Sequence, residues 1–150
     1  MLAMANGIED LTLTLTQEIY VEAPLETTFE ALLEQLGEAN VKPDGTPMPL
    51  VLEPWPGGRW YRDLGEENGH WWGNVQAINR PVLLEMAGPL FMSYAAANNV
   101  QYRLSEVEGG TMIKFRHSGI GLFEAEHKKG VHTGWSYIHD KVKRKAEAAK

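Results

Sequence analysis

Two histidines, His117 and His127, flank one short glycine-containing segment and are the side chains best suited to chemistry. An imidazole donates, accepts or exchanges a proton near neutral pH, so the pair suits ligand orientation or general acid–base work. The plainer expectation for each is a buried, satisfied histidine or an idle one at a rim. Other chemistries lack their residues. The chain has no cysteine, which removes disulfides, thiolate zinc sites and a Cys nucleophile, and fits a reducing cytoplasm. There is no GxSxG elbow, and Gly119-Ile120-Gly121 is too short for a phosphate loop. His127 and His132 diverge by about 140° around a helix. His132 and His139 share a face but lie about 10 Å apart along the axis. Neither pair chelates an ion, so no metal and no other cofactor is expected.

A helix over Glu124–Lys150 must position His127. Val131, Trp135, Ile138 and Val142 recur at helical spacing, and His127 extends that stripe by one turn. Gly130 and Gly134 sit beside it, where a missing side chain allows close approach or leaves space. Strand parity positions His117. On Thr111–His117, Ile113, Phe115 and His117 share one face, while Met112, Lys114 and Arg116 share the other. Val100, Tyr102 and Leu104 face inward on their strand, and Leu84 and Met86 oppose Glu85 on theirs. Both histidines then project toward one space from opposite sides of Gly119–Gly121, provided that no bulge breaks the parity.

The remaining elements frame that space. Leu11–Glu22 alternates as a Thr-rich strand. Leu25–Leu36 repeats apolar residues as a helix ending at Gly37, and Ala39–Pro49 reads as a loop. Strands follow at Leu50–Glu53, Arg59–Asp63, His70–Ile78 and Val82–Met86, with hairpin signals at Asn68-Gly69 and Gly109-Gly110. The facing of His70–Ile78 is ambiguous, since neither parity set is cleanly apolar. Phe91-Met92-Ser93-Tyr94 reads as a pocket lid, a partner contact or an edge strand under the helix. Trp60, Trp72 and Trp135 suit an aromatic wall or plain core filling. Arg59 and Arg62 beside Asp63 and Glu53 suit an anionic group or, more simply, surface ion pairs. Helices on one face of an antiparallel sheet make an α+β layer fold, here one domain over residues 1–150.

The 150 residues carry a net charge of −6, which disfavours nucleic acid and anionic lipid surfaces. The lysines and arginine of Lys141–Lys145 read as a solvated helix face. No apolar run approaches the ~20 residues of a membrane span, and Met1–Asp10 lacks the features of a signal peptide.

The chain also resembles a known family. The residues that carry this are Ile19-Tyr20-Val21-Glu22-Ala23-Pro24 leading into Thr28-Phe29-Glu30-Ala31-Leu32, then Pro56-Gly57-Gly58-Arg59-Trp60, Gly73-Asn74-Val75 and Pro81-Val82-Leu83-Leu84. Gly110-Thr111, Phe115-Arg116-His117 and Gly134-Trp135 complete the series. In order and spacing they resemble the START/Bet v 1-like (SRPBCC) helix-grip superfamily, in its Hsp90-ATPase-activator-homologue-1-like (AHSA1-like) branch. The resemblance implies a curved antiparallel sheet wrapped around a long C-terminal helix, with a hydrophobic cavity between them.

The expected function is therefore reversible binding of a hydrophobic, lipid-like or aromatic small molecule. Leu84, Met86, Tyr102, Ile113, Phe115, Trp135 and Ile138 would supply contact area. His117, His127 and Tyr102 would orient the ligand. Two other classes stay open: an enzyme acting on a polyketide-like substrate with His117 or His127 as acid or base, and a module that contacts an Hsp90-type chaperone.

Overall fold

The Thr–Leu alternation after residue 11 builds the first strand, β1 (Thr12–Val21), with Leu13 and Val21 buried. The computed structural model describes residues 3–149, so Lys150, the expected end of the last helix, lies outside the described residues. A short 3-10 segment, Ala3–Leu11, precedes β1. Pro24 then starts α1 (Leu25–Leu36), which buries Phe29, Leu32 and Leu36 and stops at Gly37. Six further strands follow as a meander: β2 (Val51–Leu52), β3 (Arg59–Gly65), β4 (Asn68–Asn79), β5 (Leu83–Gly88), β6 (Ala96–Val107) and β7 (Gly110–Gly121). The chain ends in α2 (Ala125–Ala149).

The seven strands form one antiparallel sheet in the order β1-β7-β6-β5-β4-β3-β2. Alternation sets its inner face: Leu84 and Met86 on β5, Val100, Tyr102 and Leu104 on β6, and Ile113, Phe115 and His117 on β7 are all buried. Parity fails on β4, and the cause is local. Trp72 has no partner between the Trp60–Gly73 and Tyr61–Trp71 pairs, and Gln76 has none between Val75–Met86 and Ala77–Glu85. Each irregularity inserts a residue and flips the facing that follows, so Trp72 and Val75 are both buried despite opposite parity. Such bulges also bend a sheet.

The Gly119–Gly121 segment is not the separating loop expected from its glycines. It continues β7, paired as Asn98–Gly119 and Ala96–Gly121. Glycine is needed there because a Cβ on Gly119 would collide with the Asn98 side-chain oxygen.

Helix α2 is tied to β1 by side-chain hydrogen bonds. Gln17 Nε2 donates to the His132 carbonyl and to Ser136 Oγ, Lys143 Nζ donates to the Tyr20 carbonyl, and Glu22 N–H donates to Glu147 Oε2. Lys143 thus takes up one backbone carbonyl of that strand. At the far side, Trp60 Nε1 donates to the Leu36 carbonyl and ties β3 to the end of α1. This is the helix-grip arrangement, with the core between the curved sheet and α2.

Candidate functional site

Two ridges of α2 bound a groove. Glu126, Gly130, Gly134 and Tyr137 form one ridge, and His127, Val131, Trp135 and Ile138 the other. From 126 to 138 the groove extends about 18 Å along the helix axis. Its other walls are Trp72, Phe91 and the loop between α1 and β2, represented by Asn40, Lys42 and Met48. The groove is partly open to solvent and holds about 340 Å³ of space, within the ordinary size range of small-molecule sites. A Cβ placed on Gly130 or Gly134 would meet no atom within 4 Å, so the middle of the floor is open.

Local structure holds the walls. Asn40 Nδ2 donates to the Met48 carbonyl, and Met48 N–H donates to the Asn40 carbonyl, closing the loop into a rigid strap. The extra residue in β4 turns Trp72 inward, where it packs against Phe91 with ring centroids 6.1 Å apart. Phe91 in turn meets His127 edge-on at 5.1 Å. Phe91 therefore serves as a wall of the cavity, whereas Met92 beside it is buried in the core.

His127 is the imidazole on this lining. Its Nδ1 lies 2.7 Å from the Tyr94 hydroxyl, and the two rings stack at 5.5 Å. The Tyr94 oxygen also accepts the backbone N–H of Glu124, and the Glu124 carboxylate lies 3.9 Å from the same His127 nitrogen. Nδ1 is thus engaged by its own chain, and a Tyr94 hydroxyl that donates to it leaves the ring proton on Nε2. Among the described residues, Nε2 has no hydrogen-bond partner.

The structure separates the expected ligand contacts. His127, Trp135 and Ile138 line the cavity. Leu84, Met86, Tyr102, Ile113, Phe115 and His117 do not; they lie behind it in the packed core. The reason is that aromatic rings fill the middle of the grip. Phe115 contacts Trp135 at 4.8 Å, Tyr102 at 4.8 Å and His139 at 4.5 Å. The open space lies toward the first half of α2, on the far side of Trp135.

His117 is fully buried. The Trp135 indole N–H donates to its Nδ1 at 3.0 Å, so the ring carries its proton on Nε2 and donates it to Asn98 Oδ1 at 2.8 Å. Asn98 is oriented by donating to the Gly88 and Pro89 carbonyls. Burial pushes the His117 pKa down to about 4. Both nitrogens of His117 are thus occupied within the core, and it is not among the residues that line the groove.

A second histidine was not anticipated. His139 is buried beside Trp135, its rings stacked 5.7 Å apart. Gln17 donates its amide to α2, so its Oε1 accepts from His139 Nδ1 at 2.7 Å. His139 Nε2 then accepts the Tyr102 O–H at 2.9 Å. Burial lowers the His139 pKa to about 3 and raises that of Tyr102. Tyr102 is thereby committed to the core. Its sequence signal was present, for 139 is one turn after Trp135 and two after Val131. Elsewhere, Arg59 makes a two-pronged ion pair with Glu53, holding that carboxyl down at about 2, so Arg59 is engaged by its own chain.

Residues 22–147 match the family described as activator of Hsp90 ATPase homolog 1-like protein. The chain belongs to that family. The matched span includes every wall of the cavity. This AHSA1-like chain is similar to a putative uncharacterized protein from Rhizobium leguminosarum, at 17% identity and TM-score 0.71, over 91% of this chain and 95% of that one. It is also similar to the di-domain ARO/CYC StfQ of the steffimycin biosynthetic pathway, at 12% identity and TM-score 0.68, over 97% of this chain and 54% of that one. Ara h 8.0201 is similar at 14% identity and TM-score 0.66, over 91% and 99% of the two chains. At these identities the likeness carries the fold alone, a Bet v 1-like helix grip. No curated protein matches the AHSA1-like sequence.

Proposed function

We propose that this protein reversibly binds an apolar small molecule, aromatic or chain-like, in the groove along α2. One observation carries the reading: an apolar groove has glycine at two helix positions of its lining, the exposed Gly130 and the half-buried Gly134, and a Cβ at either would meet no protein atom. Gly130 and Gly134 cost an exposed helix about 1 kcal/mol each relative to alanine. Space kept at that cost suits an occupant. Val131, Trp135, Ile138, Trp72, Phe91 and Met48 supply its apolar surroundings. Burial contributes roughly 25 cal/mol per Å² of apolar area before ordering costs are subtracted. The ARO/CYC proteins StfQ and BexL share the fold.

Native mass spectrometry of freshly purified protein should show a retained apolar molecule or, if the site is empty, uptake of the neutral fluorophore N-phenyl-1-naphthylamine. Gly134→Leu should abolish uptake while keeping the melting temperature at or above wild type, because leucine is the better helix former. Equal fluorophore binding by the filled variant would overturn the reading.

Catalysis, if the cavity supports any, falls to His127, since His117 is sealed in the core. The family's name raises a chaperone contact as the competing class. A complex with Hsp90 that survives Gly134→Leu would assign that contact to a surface outside the groove.

A further inference from the structure

The polar atoms of the groove are asymmetric in kind, and this deepens the binding reading on which it rests. Tyr94 engages His127 Nδ1, so Nε2 is the ring atom left for a ligand, and with Tyr94 donating to Nδ1 that atom is an N–H donor. Tyr94 is not on the lining, and His127 is. The side chain of His127 is 33% exposed, half-buried beside Phe91. An occupant that covered this N–H without accepting from it would leave a desolvated donor. Lys42, on the facing strap, adds an ammonium that can only donate. The one acidic side chain on the lining is Glu126, which is exposed and free to turn to water.

We infer that the natural ligand is an apolar monocarboxylate: a ring system or chain that lies over Gly130 and Gly134, with its carboxylate accepting from His127 Nε2–H and Lys42 Nζ. Charge-assisted hydrogen bonds of this kind are roughly twice as strong as neutral ones. The length of the groove fits an elongated body better than a compact one.

Three isosteric competitors of N-phenyl-1-naphthylamine test this at pH 7.5: 2-naphthoate, 2-methylnaphthalene and 2-naphthylmethylamine. The expected result is displacement by 2-naphthoate at a concentration at least about tenfold below that of either other compound. His127→Phe and Lys42→Met should each reduce the ratio of naphthoate to methylnaphthalene affinity severalfold, and together bring it near one. Equal or tighter binding of methylnaphthalene or of the amine by the wild type would overturn the carboxylate assignment while leaving the apolar-binding reading intact. Failure of the fluorophore and of all three compounds to bind the folded wild type would overturn both.

Discussion

Trp135 donates its indole N–H to Nδ1 of His117 across 3.0 Å, joining the centre of α2 to the inner face of β7. This bond gives each side chain a structural duty. His117 is the acceptor for a buried donor, and its own N–H satisfies Asn98. Removing the imidazole orphans the indole N–H and the Asn98 oxygen together and opens a void. His117→Ala should therefore cost about 3–5 kcal/mol of stability in urea titrations. Trp135→Phe, which orphans one nitrogen, should cost less, about 1–3 kcal/mol. A stable, ligand-binding His117→Ala protein lacking turnover would instead assign His117 to catalysis.

The two core histidines also set a pH dependence. Each has a folded pKa below its ordinary value, about 4 for His117 and about 3 for His139. Between those values and the unfolded value near 6.5, the unfolded chain binds more protons than the folded one. Stability is then fully present above pH about 6.5 and is lost as pH falls toward 4. With both groups contributing, the slope should reach about 2–3 kcal/mol per pH unit. Urea midpoints at pH 7, 5.5 and 4.5 measure it, and His139→Gln should flatten the acid limb by about half. A flat profile over that range would mean that the imidazoles charge freely in the folded state.

Gly130 and Gly134 should respond to alanine in an unusual way for positions beside a site. A Cβ at either meets nothing within 4 Å, so the backbone entropy gain is unopposed. Each Gly→Ala change should raise stability by about 0.5–1 kcal/mol. Fluorophore affinity should fall only modestly for alanine and vanish for leucine at 134. The divergence of the two readouts, measured by thermal melts and fluorescence titration, separates a kept space from a helix that merely tolerates glycine.

Much of this architecture was legible before coordinates, and the illegible part has definite causes. Local periodicity placed α1 at Leu25–Leu36 and gave the inward faces of β5, β6 and β7, because an unbroken strand keeps its parity. Trp72 could not be placed that way, since an unpaired residue in β4 reverses the parity and only its partner strand reveals it. The cavity was expected against Tyr102 and Phe115 in the middle of the grip, but their rings fill that space with Trp135 and His139. The real opening depends on the Asn40–Met48 strap folding across α2, a long-range event that leaves no periodic trace. Gly130 and Gly134 were its visible sign. His139 had the spacing of the buried stripe but the polarity of a surface residue, and its partners, Gln17 and Tyr102, are remote in sequence.

Tyr94 is the positioning residue on which the groove's polarity rests. Its hydroxyl accepts the Glu124 N–H at the start of α2 and is hydrogen-bonded to His127 Nδ1, tying the loop that carries Phe91 to the helix. Tyr94→Phe keeps the ring that stacks on His127 and removes both bonds. If Tyr94 donates to Nδ1, as the carboxylate assignment requires, its removal frees the His127 ring to place its proton on either nitrogen. The loss of one partly exposed hydrogen bond should lower stability by about 0.5–1.5 kcal/mol. The discriminating readout is nuclear magnetic resonance of the His127 ring nitrogens, which should shift from one tautomer to a mixture, with naphthoate affinity falling about three- to tenfold in parallel. An unchanged ring signal in Tyr94→Phe would show that something other than Tyr94 holds the proton on Nε2, and the donor that orients the ligand would need another origin.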